Sequence, residues 1–309
     1  MINGVINIYK EKGFTSHDVV AKLRGILNQK RIGHTGTLDP DAEGVLPICL
    51  GKATGVCGML TDQDKAYEAV MLLGTTTDTQ DVTGKVIRKE KPEEELDRIL
   101  AVIQGFVGEQ SQIPPMYSAV RHNGKRLYEL ARQGVEVERA PRSINVRSIR
   151  VHEYDEEMHT VRMTITCSKG TYIRTLCNDM GERLGCGACM AALKRIRVGS
   201  LGLDTAITLG QAAARNLLGT LDGCIISVDS LFGSYAGVTV APVLDVALHN
   251  GNPVPMEAEA LCVQGDAQIS DGDSLRVYDS KNAFVGIYRC DNYLLRPVKM
   301  FYDADGENA

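Results

Sequence analysis

Between Arg31 and Gly51 the chain gathers one histidine (His34), three carboxylates (Asp39, Asp41, Glu43), two prolines and four glycines. Ionised carboxylates serve as nucleophiles, general bases or metal ligands, so this span is where chemistry is expected first. Asp39 stands immediately before Pro40, which disfavours helix and sets an extended or turn geometry that can aim the acid into a cleft. Glycine supplies unusual backbone angles and proline fixes its own, so the loop is expected to hold one shape. By residue type alone it would suit an active site, a metal site or a turn. Asp41 and Glu43 read as solvated or structural.

The elements that must position this loop are set by periodicity. Gly4 to Tyr9 reads as a first strand. Ser16 is the expected N-cap of a helix with Asp18 in its first turn and Val19, Val20, Leu23, Ile26 and Leu27 on one face, and this helix delivers Lys30 and Arg31 into the loop. A small-residue helix is expected near Ala53 to Leu60, then a strand from Lys65, turn chemistry over Thr75 to Gly84, and an amphipathic helix over Glu93 to Phe106. Pro114 and Pro115 exclude regular helix or central strand and make a stiff entry to the segment beyond them. Asn145 to Val151 and Thr160 to Cys167 alternate as strands of one sheet. Ser168 to Arg174 leads into a helix that runs through Leu184 and stops at Gly185, and Leu193 to Gly199 is basic and apolar by turns. Strands and helices without regular alternation predict an α+β fold around a largely antiparallel sheet flanked by helices.

A second unit is expected after Phe232. Gly237 to Val240 is strand-like, Pro242 opens a helix ending at Asn250-Gly251, and Ala258 to Asp291 holds short β-type runs between turns. This describes a small β-rich C-terminal domain, with Asp303 to Ala309 as a frayed end.

Composition narrows the function. A chain of 309 residues with 44% hydrophobic content can bury a full core. Lys10, Glu11 and Lys12 interrupt the start too early for a signal peptide, and no apolar run has the length of a membrane span, so a cytoplasmic protein is expected. Nine scattered cysteines suit reduced thiols; Cys186 and Cys189 lack a second pair or a nearby histidine and read as core thiols, with no metal. The net charge of −5 conceals a segregation. Lys22 to His34 has four basic residues and no acid, Arg121 to Arg150 has eight against three, and Arg162 to Gly199 seven against two, whereas Tyr235 to Ala309 has five against eleven. Basic faces of this kind attract phosphates whatever the total charge, which favours a nucleic-acid partner.

Gly33-His-Thr-Gly-Thr-Leu-Asp-Pro-Asp-Ala-Glu-Gly-Val-Leu-Pro resembles the catalytic motif of the TruB family of tRNA pseudouridine synthases. The resemblance continues in order through Gly4 to Val19, Lys65 to Tyr67, Gln112 to Arg121, Tyr128 to Gly134, Ser168 to Arg174 and Leu193 to Gly199. It implies a pseudouridine synthase fold over residues 1–232, with a thumb loop at 117–142, and a PUA-like domain over 235–303. It implies isomerisation of uridine-55 in the T loop of tRNA, by base flipping and an aspartate-dependent rearrangement of the glycosidic bond. Asp39 would be the nucleophile or base and Arg174 its ion-pair partner, while Tyr67 would stack on the base and assist proton transfer at C5. His34 would fill the space left by the flipped base, and Tyr172 and Leu193 would line the pocket. Arg121, Lys125, Arg126 and Arg132 would bind RNA from a thumb that is mobile without it. Family members more often have lysine at Arg121 and leucine at Val120. No cofactor is implied, and the partner is the tRNA T stem-loop, bound by a monomer that needs no protein partner. The alternatives are a tRNA-binding folding chaperone whose catalysis is dispensable, and a related guide-RNA-dependent synthase.

Overall fold

The structure is a computed structural model that describes residues 1–92, 95–257, 260–265 and 267–302. In chain order the first part comprises β1 (Gly4–Lys10), α1 (Ser16–Leu27), β2 (Ile32–His34), β3 (Glu43–Leu50), α2 (Cys57–Thr61), β4 (Lys65–Leu73), β5 (Thr75–Thr77), β6 (Val86–Lys89), α3 (Leu96–Gln104) and β7 (Gly108–Gln112). It continues with β8 (Arg121–His122), β9 (Lys125–Arg126), α4 (Leu127–Arg132), β10 (Arg142–Asp155), β11 (Thr160–Cys167), α5 (Ile173–Leu184), β12 (Ala188–Val198), β13 (Leu201–Gly202), α6 (Leu209–Leu217) and β14 (Ile225–Ile226).

Among the described residues, ten of these strands form one sheet in the order β14-β1-β3-β12-β4-β11-β10-β7, with β2 added to β3 and β13 to β12. Its pairings are antiparallel except β3 with β12. The parallel pair brings the end of the Asp39 loop, Glu43 and Gly44, beside Lys194 and Arg195. Apolar faces of α1, α3 and α5 pack on this sheet through Val19, Leu23, Ile99, Ile103, Leu176 and Met180. The expected α+β architecture with a mixed, mostly antiparallel sheet is the observed one.

Several local expectations are corrected. The N-cap of α1 is Thr15, not Ser16: Thr15 Oγ1 accepts the Asp18 N–H while the Asp18 carboxylate accepts the Thr15 N–H, a reciprocal capping box. Ser16 is turned inward instead. The stretch after Leu50 is a 3-10 turn, Gly51–Val56, followed by the short α2, rather than one helix. Helix α3 is shorter than expected; Glu93 lies outside the described residues, Leu96 is exposed, and Gly105 caps the end before Phe106. Thr75 to Thr77 pair with β6 before the turn begins. Strand β10 outruns the expected segment at both ends because bulges near Val146 and Val151 break the alternation that defined it. Leu193 to Val198 belong to the long β12.

The second part contains β15 (Ala236–Val240), α7 (Asp245–His249), β16 (Val254–Pro255), β17 (Leu261–Val263), β18 (Ser274–Tyr278), β19 (Phe284–Asp291) and β20 (Leu294–Met300), in a six-stranded sheet ordered β16-β20-β19-β18-β15-β17 among the described residues. Pro242 opens a 3-10 turn, Pro242–Leu244, and α7 comes directly after it. The expected runs from Ala258 and the frayed end from Asp303 begin outside the described residues. An apolar cluster joins the two parts: Val5, Val56, Leu60 and Phe232 pack with Tyr278, Phe284, Ile287 and Phe301, and the rings of Phe284 and Phe301 stack at 5.6 Å. No helix among the described residues is long and apolar enough to cross a membrane.

Candidate active site

Asp39 lies in the loop between β2 and β3, and both of its neighbours are clamped. On one side the Leu38 N–H donates to Ser16 Oγ at 2.8 Å, which in turn donates to Leu38 O at 3.3 Å. On the other side the Pro40 carbonyl accepts from Lys10 Nζ and from the Gly13 N–H, both at 3.0 Å. Lys10 is fully buried, and burial lowers its pKa to about 8 against the pull of Asp39 and Asp41. The first strand and the first helix therefore fix the loop on either side of its acid.

Arg174, the second residue of α5, meets this loop directly. Its Nε meets Asp39 Oδ2 at 3.0 Å and its Nη2 meets Oδ1 at 3.3 Å. Nη2 also donates to Tyr117 O at 2.9 Å and Nη1 to Thr79 O at 3.1 Å, and Asp81 Oδ2 lies 3.5 Å from Nη1. Asp81 is held by Thr79 and Thr83 in the turn after β5, and a bridge to Met190 fixes that turn on β12. The Arg174 side chain is 6% exposed and that of Asp39 40%. Burial raises the Asp39 carboxyl above its ordinary value, Asp81 and Asp41 add to this, and Arg174 and Lys10 oppose it.

Tyr67 on β4 is buried and stands opposite Arg195 on β12, whose guanidinium reaches the phenol. Burial raises the Tyr67 phenol while Arg195 opposes. Arg195 is itself 1% exposed; its Nε donates to Val45 O at 2.7 Å and its Nη2 to Gly36 O at 3.2 Å, so it ties the strand after the Asp39 loop to the loop itself. Gly44 permits this close approach. Its φ is +105°, and a Cβ there would sit 2.2 Å from Arg195 O. Leu193, two pairs along and on the same face, is buried opposite Ala69.

His34 ends β2, and its Nδ1 accepts the Gly36 N–H at 3.3 Å. Burial, His17 and Arg195 all lower its pKa, so the ring is neutral at physiological pH with its proton on Nε2. Tyr172 is half-buried at the start of α5, and its main chain is held by the Gln112 carboxamide. Arg121, Lys125, Arg126 and Arg132 are exposed on the β8–β9 hairpin and α4. Arg126 and Arg132 lie over the Tyr128 ring, 5.8 and 5.5 Å from its centroid. Among the described residues these four cations make no hydrogen bond with Asp39 or Arg174; the base of this segment reaches the ion pair through Tyr117 O.

The family-model comparison accounts for 24–173 as the TruB family pseudouridylate synthase N-terminal domain and for 174–232 as the tRNA pseudouridylate synthase B C-terminal domain. The chain belongs to the TruB family of pseudouridylate synthases. A protein of Lachnoclostridium phytofermentans named tRNA pseudouridine synthase B is 49% identical over 97% of this chain and 100% of its own. A protein of the same name from Bacillus velezensis is 40% identical over 97% and 98%. Among solved structures, a chain of a Cbf5-Nop10-Gar1 complex superposes with a TM-score of 0.75 at 29% identity, covering 98% of this chain and 86% of that one. A chain of an H/ACA RNP bound to a substrate RNA containing 2'-deoxyuridine gives 0.73 at 27%, with the same coverage. The pseudouridine synthase fold expected from the motifs is therefore the fold of this chain.

Residue by residue, the structure joins Asp39 to Arg174 as the family motif implied, and sets Tyr67 beside Leu193 on adjacent strands. Asp179, five residues beyond Arg174 on α5, accepts from Asn178 Nδ2 at 3.4 Å. Sequence reasoning missed Lys10, Asp81, Arg195 and the role of Gln112. Arg195 had a usable signal, because period two puts it on the face of buried Leu193. Asp81 had none, since its threonine-rich turn resembles any other.

Proposed function

We propose that this chain isomerises uridine to pseudouridine in the T loop of tRNA, at uridine-55. The observation that carries the reading is an aspartate fixed by clamps on both neighbours, bonded to a buried arginine and itself partly exposed, in a member of this family. The reaction breaks the bond from C1′ to N1, turns the ring and joins C1′ to C5; the C5 proton is lost and N1 regains one. No external group or redox change enters, so no cofactor is required.

The target uridine is stacked within the folded loop and is flipped into the cleft, at a cost of a few kcal/mol. His34, neutral and held by Gly36, stacks in the space it leaves. Asp39 acts on the flipped nucleoside as nucleophile or base, and Arg174 favours its ionised form. Tyr67 packs on the base. Its raised pKa keeps the phenol protonated, so it exchanges a proton at C5 only in step with another group. Tyr172 and Leu193 form the pocket wall, and Arg121, Lys125, Arg126 and Arg132 grip phosphates from a thumb that closes on the RNA. Residues 1–232 act as the catalytic unit, followed by a PUA-like domain over 235–303, in a cytoplasmic monomer that works without a protein partner.

The test is tritium release from 5-tritiated uridine in a T stem-loop with and without the target uridine. Asp39→Asn is expected to stop release while tRNA binding survives; equal activity would overturn the catalytic assignment and leave the tRNA-folding role. The likeness to a chain of an H/ACA RNP bound to a substrate RNA keeps the related guide-RNA-dependent synthase as the second candidate. Activity of the purified chain on naked tRNA would exclude it.

A further inference from the structure

Gln112 is the last residue of β7 and is 3% exposed. Its Nε2 donates to Tyr172 O at 3.0 Å and its Oε1 accepts the Tyr172 N–H at 2.8 Å, a reciprocal pair that reproduces a strand contact with one side chain. Tyr172 is the N-cap of α5 and makes no side-chain cap bond of its own. Arg174 stands two residues later. Downstream of Gln112 come the buried Pro114 and Pro115, and then Tyr117, whose carbonyl accepts from Arg174 Nη2 at 2.9 Å. The stretch 112–117 thus touches the Arg174 segment at both ends, with two prolines stiffening the span between.

We infer that Gln112 is a positioning residue: it registers the strand that launches the thumb against the start of α5, and so fixes where the Arg174 guanidinium meets Asp39. The catalytic part of this inference rests on the function proposed above. Gln112 touches neither Asp39 nor the expected substrate position, so it acts through Tyr172 and Arg174. The charged and titratable groups facing Asp39 are Arg174 from α5, Asp81 from the turn after β5, Lys10 from β1, Tyr67 from β4 and Asp41 from its own loop. Arg174 is the cation bonded to it. If its position loosens, the ionised form of Asp39 loses support and its titration moves to higher pH.

Gln112→Met removes both hydrogen bonds with little change of bulk, and Gln112→Asn keeps a neutral amide too short to reach Tyr172. Both are compared with wild type and Asp39→Asn in single-turnover tritium release, tRNA binding and thermal melting, and Asp39 is titrated by carboxyl NMR in the RNA-free protein. The expected result is a rate about tenfold or more lower, as small misplacements at a reacting centre produce. Binding should stay within about twofold, and both the acid limb of the rate and the Asp39 titration should move to higher pH. A folded variant with wild-type rate and wild-type Asp39 titration overturns the inference. So does a rate loss that tracks weakened tRNA binding with the titration unmoved, which would make Gln112 a fold or binding residue. If Gln112→Met does not fold, Gln112→Asn decides. If wild type itself releases no tritium, the functional reading fails, and the titration still tests the positioning.

Discussion

Arg174 and Asp39, 135 residues apart in the chain, meet through two contacts of 3.0 and 3.3 Å in which the arginine is buried and the aspartate is partly exposed. The guanidinium is also held by Thr79 O and Asp81 from one turn and by Tyr117 O from another, so two separate segments fix its position beside the acid. An ion pair of this kind orients a carboxylate as much as it charges it. The planar fork holds both oxygens at once, which leaves the remaining lone pairs directed toward the open side.

Arg174→Lys tests whether orientation or charge dominates. Lysine keeps the positive charge but has no fork, and it abandons the half-buried carbonyls of Thr79 and Tyr117, hydrogen bonds to a charged group being worth about 1.5–3 kcal/mol each. The expected outcome is a lower melting temperature and a single-turnover rate reduced by about 10²-fold, with tRNA affinity nearly unchanged. Tritium release at saturating enzyme, beside a binding titration, checks it. A rate close to wild type would mean that charge alone suffices.

The rate should fall with acidification at a pH above the ordinary value of an aspartate carboxyl. In the proposed reaction Asp39 acts in its ionised form, and burial raises its pKa from 3.8. Activity is therefore full above the shifted value and lost as pH falls through it. Lys10 opposes that rise, so Lys10→Met should move the acid limb to still higher pH. His34 should add no step near neutrality, because its pKa is lowered from 6.5 and the ring is already neutral there. Single-turnover rates on a T stem-loop across pH, within the range where circular dichroism shows the fold intact, measure both effects. An acid limb at or below 3.8, or one unmoved in Lys10→Met, would contradict the electrostatic account.

The legible parts of this molecule were those where a local rule and the fold agree. Helix α5 ends at Gly185 because glycine takes the left-handed conformation there, with φ of 92°, and its buried face repeats every third or fourth residue. Asp39 and Arg174 were legible as a pair only through the family motif, since no local pattern links segments so far apart in sequence. Lys10 was hidden for a related reason. A lysine beside Glu11 and Lys12 reads as surface, yet Lys10 alone of the three turns inward, to the carbonyls of Glu11, Phe14 and Pro40. Asp81 and Gln112 bind main chain or a distant guanidinium, and such partners exist only once the sheet has brought them together. Bulged strand β10 was misjudged at its ends because a bulge shifts the alternation on which strand reading depends.

The thumb cations should govern affinity and its salt dependence while leaving the chemical step alone. Arg121, Lys125, Arg126 and Arg132 are exposed, and among the described residues none is bonded to Asp39 or Arg174. Each phosphate contact removed should lower the slope of log K against log salt by about 1. Lys125→Gln is the simplest case: weaker binding, a shallower slope and an unchanged single-turnover rate at saturation. Arg126 and Arg132 differ from it because both lie over the Tyr128 ring, and Arg126 also donates to the phenol oxygen at 3.1 Å. Tyr128→Ala should therefore weaken binding by releasing two guanidiniums from one preset geometry. Arg126→Ala and Arg132→Ala should then each matter less in its background than in wild type. Filter binding across salt concentrations for the single and double variants reads the coupling. Strict additivity would mean that the ring does not preset the cations, and a drop in the saturated rate would mean that the thumb takes part in the chemistry.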